Sequence, residues 1–307
     1  MSSTTALTDL GQALCIVTGA SRGLGRTVAK HLARLIKPGS AIVLTARSGQ
    51  DLRSLQTELT GGDGAGAGLV VECVEADLGH NDAPGRIVSA ARRCFKADMD
   101  HVILVNNADG IISSPMDPVV GIYPYFDPHL RALPEDARSF LILLEYDGSV
   151  GDVSHFFRNF TNMAEVNSYL SFNVSSCLCL TAGVLDAFPQ RDGLRRTVVN
   201  ISSICALQPY PSWSLYCTGK AARNMMFKVL AKEEPDIRVL NYGPGPLDTD
   251  MLAYAKSHTA DENLRMSFND MCDKGQVLSC DQSCSVLMKL LLGDSYESGA
   301  HVDVYDV

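Results

Sequence analysis

Ala13-Leu14-Cys15-Ile16-Val17-Thr18-Gly19-Ala20-Ser21-Arg22-Gly23-Leu24-Gly25 is a short apolar run that passes into three spaced glycines, and an amphipathic pattern continues from it to about Ile36. The run has the length and apolar content of a buried strand, and the pattern after it has the period of a helix. Strand, glycine loop and helix in that order make a phosphate site. Glycines let the backbone approach a pyrophosphate, while the helix N-terminus offers free N–H groups and a positive dipole end. The spacing is G-x-x-x-G-x-G, and its place between strand and helix is what makes it specific. Cofactor contacts are expected from Gly19, Ser21, Arg22, Gly23, Leu24 and Gly25.

The alternation of apolar runs with helical patterns continues down the chain. Residues 41–47 read as a second strand, 51–59 as a helix and 61–66 as a glycine-rich turn. A third strand at 69–74, a helix at about 84–94 and a fourth strand at 101–105 lead to Asn106-Asn107-Ala108. A long helical stretch covers about 162–188. It is followed by the apolar run 197–201, a helix carrying Tyr216 and Lys220, a strand at 237–241, a helix at about 284–292 and a last strand within 299–305. The polar stretch 258–269 reads as a mobile cover over the substrate. Strands that alternate with helices argue for a parallel sheet. The expectation is one α/β domain over residues 1–307, of the doubly wound Rossmann type, with a seven-stranded parallel sheet flanked by helices.

The end of the second strand bears on the nucleotide. An NAD-preferring site carries a carboxylate there for the ribose 2′-hydroxyl. Here the strand ends in Arg47-Ser48, with Arg22 in the glycine loop and no acid nearby in sequence. Two guanidinium groups suit a 2′-phosphate through charge-assisted hydrogen bonds. NADP(H) is therefore the expected cofactor, with Arg47 and Ser48 among its contacts.

Bulk properties narrow the class. A chain of 307 residues suffices for one large α/β domain, and 46% hydrophobic with 20% charged residues is ordinary for a globular protein. A net charge of −9 gives no global basic field, so neither nucleic acid nor an anionic membrane is an expected partner. Residues 1–10 lack a basic, apolar leader pattern, and no window approaches eighteen uninterrupted apolar residues. A cytoplasmic protein follows. The ten cysteines are scattered and read as reduced small hydrophobes, and none has the neighbours to complete a metal site.

The chemistry centres on Tyr216-Cys217-Thr218-Gly219-Lys220, with Asn200-Ile201-Ser202-Ser203 upstream. Tyrosine and lysine four apart share one helix face. A phenol titrates near ~10, but a cation at ~4 Å and an effective dielectric near 20 favours the phenolate by about 4 kcal/mol, roughly three pKa units before desolvation. That would bring Tyr216 toward a range where it donates a proton to a carbonyl oxygen. Ser203, thirteen residues earlier at the end of an apolar run, is placed to hydrogen-bond the same oxygen.

Together with the glycine loop, this constellation resembles the short-chain dehydrogenase/reductase family. The resemblance implies a catalytic set of Ser203, Tyr216, Lys220 and Asn173, the last holding a water that relays protons to the lysine. It implies further cofactor contacts from Asp77 and Leu78 beside the adenine, from Asn107, from Tyr216 and Lys220, and from Leu247, Asp248, Thr249, Asp250 and Met251. It also implies a homodimer joined through the 162–188 helix and the helix after Tyr216. The runs 200–209, 242–251 and 298–303 are similar to the members of the family that act on pterins, with Gly243 standing where alanine is usual. That likeness implies NADPH-dependent reduction of pterin side-chain carbonyls in tetrahydrobiopterin synthesis, with substrate contacts from Ser203, Ile204, Tyr216, Gly245 and Asp303. One carboxylate at Asp303 can accept from the amino group and ring N–H of a pterin together.

One segment departs from the pattern. Where the family continues N-N-A-G, this chain has Asp109-Gly110 and a run containing Pro115, Pro118, Pro124, Pro128 and Pro134 before Gly148 resumes the expected sequence. A loop of that length inside a compact domain is unusual. Residues 109–147 can be a surface lid, a tolerated insertion, or sequence absent from the working protein. Two rival functions stay open beside the pterin one: a general carbonyl reductase, and a dinucleotide-binding protein that the insertion has disabled.

Overall fold

The computed structural model describes residues 8–61, 68–109 and 153–307. The predicted turn beyond Gly61 and the segment 110–147 therefore lie outside the described residues, and of the insertion only Asp109 lies within them.

Seven strands form one sheet in the order β3-β2-β1-β4-β5-β6-β7, and every pairing is parallel. They are β1 Ala13–Thr18, β2 Ala41–Ala46, β3 Val70–Glu75, β4 His101–Asn106, β5 Arg195–Ile201, β6 Ile237–Gly243 and β7 His301–Asp303. The helices are α1 Gly23–Leu35, α2 Gly49–Thr60, α3 Ala83–Cys94, α4 Met163–Ala187, α5 Ser214–Glu233, α6 Asp250–His258, α7 Glu262–Asp273 and α8 Cys280–Gly293. The expected doubly wound sheet is the observed one, and the direction in which successive strands are added reverses between β1 and β4. Ligands of such sheets lie outside the carboxyl ends of the strands at that reversal.

The strands are apolar on both faces because both faces are covered. In β1, Cys15 and Val17 enter one core with Val28 and Leu32 of α1 and Leu287 of α8, while Leu14 and Ile16 enter the other with Ile87 of α3 and Leu180 of α4. The period of two sends alternate residues to opposite sides. Each fully buried aliphatic side chain contributes about 1.5–3 kcal/mol, so a strand buried on both faces holds two layers at once. Helix α1 buries Leu24, Val28, Ala29 and Leu32 on one stripe against β1 and α8. Gly19 has φ +65°, a left-handed conformation, and a Cβ on Gly25 would run into the Gly19 carbonyl and the Asn107 amide. Glycine at both positions brings the helix start against the strand end.

Helix α4 contains one wide π turn at Ser171–Ser175, inside the stretch expected to be plain helix. By length and composition α4 is apolar enough to cross a membrane, yet Cys177, Leu180 and Val184 pack into the sheet core. The 258–269 stretch is not a bare loop. Asp261 accepts a hydrogen bond from the Leu264 amide and starts α7, which buries Leu264. The last helix begins at Cys280, earlier than its apolar pattern suggests, because Ser279 and Gln282 form a capping box.

Candidate active site

The carboxyl edge of the sheet opens into a cavity of about 710 Å³ that runs from the glycine loop to β7. At one end Gly19, Ser21, Arg22, Gly23, Leu24 and Gly25 line it. The α1 N-terminus has no side-chain cap and no acidic residue in its first turn. A glycine cradle against an uncapped helix start fits the pyrophosphate of a dinucleotide. Asn107 braces this cradle: its side-chain amide donates to the Thr18 and Gly19 carbonyls at 2.9 and 3.2 Å, and its backbone N–H donates to Thr18 Oγ1 at 2.9 Å.

The other expected nucleotide contacts divide. Arg47 and Leu78 line the cavity, as do Leu247, Asp248, Thr249, Asp250 and Met251 on the loop after β6. Ser48 instead caps α2, accepting from the Asp51 amide at 3.3 Å. Asp77 folds back to accept from the Gly79 amide at 2.8 Å, and neither it nor Ser48 is part of the cavity wall. The absence of an acid nearby in sequence does not carry over to space. Asp250 comes in from 228 residues away, and its carboxylate takes Arg22 Nη1 at 2.9 Å.

At the reacting end, Ser203 follows β5 and Tyr216 lies in the first turn of α5, buried beneath the cavity with Trp213 edge-on at 5.1 Å. The Ser203 hydroxyl and the Tyr216 phenol line the same cavity, and the hydroxyl acts to favour the ionised phenol. Lys220 is one turn further on, with Nζ 5.5 Å from the centre of the tyrosine ring. Its ammonium donates to the Ile201 carbonyl at 2.9 Å and forms an ion pair with Asp109. The Asp109 carboxylate also takes Arg223 Nη1 at 2.7 Å. Arg223 is 1% exposed, and its other donors reach Asn200 Oδ1 at 2.8 Å and the Asn106 carbonyl at 2.6 Å.

This pairing opposes the expected lowering of the tyrosine pKa. Burial pushes the Tyr216 phenol well above its ordinary range, and the negative charge of Asp109 pushes it in the same direction. Lys220 is near enough to oppose this, but its charge is matched by the Asp109 carboxylate. Burial also draws Lys220 downward, with Asp109 acting against it. Two buried cations side by side require a carboxylate, since an unpaired buried charge costs several kcal/mol. Asp109 supplies it. Sequence reading missed this triad, although Arg223 lies three residues after Lys220 and so on the same helix face.

Asn173 sits in the π turn of α4, buried, with its amide donating to the Tyr169 carbonyl at 3.0 Å and no share in the cavity wall. Ser203, Ile204, Tyr216, Gly245 and Asp303 all line the cavity. Asp303 ends β7, where burial raises its carboxyl above the ordinary range and the Tyr305 amide donates to it at 3.2 Å. A Cβ on Gly243 would stand 2.6 Å from Asp303 Oδ2, so glycine there lets the carboxylate lie against the strand. Leu264, Phe268 and Met271 of α7 join Trp213 in an apolar wall that the polar look of 258–269 concealed. The Trp213 and Phe268 rings lie 5.3 Å apart, and the indole N–H donates to Thr259 Oγ1 at 3.2 Å. Among the described residues no group of three His, Cys, Asp or Glu side chains is gathered as for a metal ion, and all ten cysteines are free.

The short chain dehydrogenase model matches residues 13–119 and 148–260. The match breaks off inside the segment singled out as an insertion and resumes at the residue after it. Sepiapterin reductase of Bos taurus is 45% identical over 298 residues, covering 97% of this chain and 96% of that protein. The Rattus norvegicus enzyme of the same name is 42% identical, with 97% and 98% covered. Among solved structures, the KRED1-Pglu enzyme aligns with a TM-score of 0.67 at 24% identity, over 94% of this chain and 100% of its own. L-sorbose reductase from Gluconobacter frateurii, solved with NADPH and L-sorbose, aligns at 0.62 and 21%, over 96% of each chain. At those identities the likeness is one of fold.

Proposed function

The chain belongs to the short-chain dehydrogenase family and is an oxidoreductase, and from that premise we propose that it reduces side-chain carbonyls of pterins such as sepiapterin, with NADPH, as a step of tetrahydrobiopterin synthesis. The observation that carries this reading is Asp303, a half-buried carboxylate in the same cavity as Ser203 and Tyr216. It offers two acceptor oxygens to the paired N–H groups of a pterin edge. The apolar wall of Trp213, Phe268 and Met271 suits the faces of a flat heterocycle.

Bound NADPH would supply the hydride. The Gly19–Gly25 loop and the start of α1 hold the pyrophosphate, and Arg47, with the Arg22 that Asp250 shares, meets the 2′-phosphate. Ser203 donates to the carbonyl oxygen while Tyr216 gives it a proton. Lys220 holds the nicotinamide ribose, and Asn173 relays protons to it through a water. For Lys220 to act, Asp109 must release it. The domain spans 1–307, with 109–147 an insertion in the sequence after β4. The outer faces of α4 and α5, where Leu178, Met225 and Val229 are exposed, form a homodimer surface. Ten free thiols suit a cytoplasmic location.

A second reading is a dinucleotide-binding protein without turnover. The Asp109–Lys220 ion pair favours it, because it takes the cation away from both the ribose and the phenol. The test is NADPH consumption with sepiapterin and with a small diketone, for the full chain, for a version lacking 109–147, and for Asp303→Ala in whichever is active. The proposal expects sepiapterin turnover, lost on Asp303→Ala while the diketone rate holds. Equal loss on both substrates would leave a general carbonyl reductase. No turnover by the full chain, with turnover by the shortened one, would establish the second reading for the full chain.

A further inference from the structure

The β7 end of the cavity is shaped by a side chain that is absent. Gly243 ends β6 and pairs in register with Asp303 at the end of β7. Residues two apart in a strand share a face, so His301 and Asp303 both project over the place where a Gly243 side chain would be. A Cβ there would stand 2.6 Å from Asp303 Oδ2, 3.2 Å from His301 Nε2 and 3.4 Å from the Asp303 α-carbon. Carbon–oxygen contacts settle at about 3.3–3.6 Å, so the carboxylate occupies room that only glycine leaves. Gly243 is not among the glycines with a left-handed backbone, so what glycine provides at this position is space. It is no part of the cavity wall itself, whereas Asp303, Gly245 and Tyr305 are.

Of the three neighbouring atoms, the carboxylate oxygen is the one free to yield. His301 is tied through Nδ1 to Asn224 Oδ1 of α5 at 3.1 Å, and its Nε2 is buried without a hydrogen-bond partner. The Asp303 α-carbon is fixed by the pairing of β7 with β6 and by its own N–H, which donates to Asp306 Oδ2 at 2.9 Å. A methyl at 243 therefore turns the carboxylate outward, and the open side is the cavity that Asp303 lines.

We propose that Gly243 is a positioning residue for the substrate: by leaving out a methyl it sets the Asp303 carboxylate back against β6, and that depth decides which carbonyl of an anchored substrate meets Ser203 and Tyr216. The inference rests on the pterin reading, in which Asp303 holds the edge of the heterocycle. An alanine at 243 drives Oδ2 outward by on the order of 1 Å. A flat, rigid ring passes that shift on to its side chain. Neighbouring side-chain carbons are only about 1.5 Å apart, so the shift is comparable with one carbon. A misplacement on the order of 1 Å costs roughly a hundredfold in rate. A small diketone has no N–H edge for Asp303 to hold and is indifferent to its depth.

The experiment compares the full chain with Gly243→Ala, Asp303→Ala and the double variant, on sepiapterin, a pterin with a 2-oxopropyl side chain and a small diketone. The sepiapterin ketone sits on the carbon joined to the ring, and the 2-oxopropyl ketone one carbon further out. The expected result for Gly243→Ala is at least a tenfold change in the ratio of kcat/KM between the two pterins, with the diketone within twofold of the native chain. In the Asp303→Ala background the same substitution should change nothing further, because residues acting through one contact are not additive. Thermal unfolding needs no substrate: Gly243→Ala should lower the midpoint while Asp303 is present and leave it in place in Asp303→Ala. A pterin ratio unchanged within twofold, an equal loss on the diketone, or an equal midpoint drop in both backgrounds would overturn the inference and leave the pterin reading standing. Turnover of neither pterin by the native chain would overturn the pterin reading and this inference with it.

Discussion

Replacing Asp109 by asparagine removes the negative charge between Lys220 and Arg223 and keeps an acceptor for both. In the native chain the Lys220 ammonium stands 5.5 Å from the Tyr216 ring, with Asp109 paired to it. At that distance and an effective dielectric near 20, one unmatched charge favours the phenolate by about 3 kcal/mol, roughly two pKa units. Asp109→Asn frees that charge to act. Removing a negative neighbour favours the phenolate, so the Tyr216 pKa falls. In carbonyl reduction the protonated phenol is the active form, so the alkaline limb of kcat against pH moves down by up to about two units. At neutral pH the stronger acid raises kcat on the order of tenfold. The assay is NADPH consumption across the pH range at saturating carbonyl substrate. An alkaline limb that stays in place would refute the reasoning. It would mean that Lys220 had lost its proton once Asp109 no longer supported it, or that Asp109 does not reach the phenol.

Two further predictions concern the nucleotide and the core. Arg47→Asp should weaken NADPH binding by about 1.5–3 kcal/mol, the usual value of a hydrogen bond to a charged group, and shift preference toward NADH; equal affinity loss for both nucleotides in a fluorescence titration would remove Arg47 from the 2′-phosphate site. His101 is buried and neutral, with Nδ1 donating to the Leu10 carbonyl at 3.0 Å and Nε2 accepting from Thr197 Oγ1 at 2.8 Å, and burial lowers it from 6.5 to about 4. Because its folded pKa is depressed, its contribution is complete above 6.5 and is lost as pH falls toward 4; at pH 5 it should cost about 2 kcal/mol of stability. Denaturant unfolding at pH 7 and 5 should show that difference in the native chain and lose it in His101→Gln, whereas an equal difference in both would place the acid sensitivity elsewhere.

The readings that held rest on patterns that lie close together in the chain. The strand–glycine–helix order at 13–25, the period-two burial of the strands and the Tyr216–Lys220 spacing are all set within a few residues, because backbone geometry fixes which neighbours share a face. Those local rules were enough for the seven-stranded sheet and for bringing Ser203, Tyr216 and Lys220 to one cavity. Ser48 and Asp77 were misplaced for the same reason in reverse. Both are short polar side chains that found nearer backbone donors, in a helix cap and a tight turn. The stretch 258–269 reads as a polar cover because the one buried stripe of α7 is sparse, and its apolar wall gains meaning only with Trp213 opposite.

What the tertiary structure alone decided is the charge balance of the site. Asp250 reaches Arg22 across 228 residues and Asp109 reaches Lys220 across 111. No periodicity encodes such pairs. The sequence by itself determined the sheet and the local spacings that bring Ser203, Tyr216 and Lys220 to one cavity; whether the tyrosine is acidic and whether the lysine is available depend on which charges the packed sheet edge brings within a few ångströms.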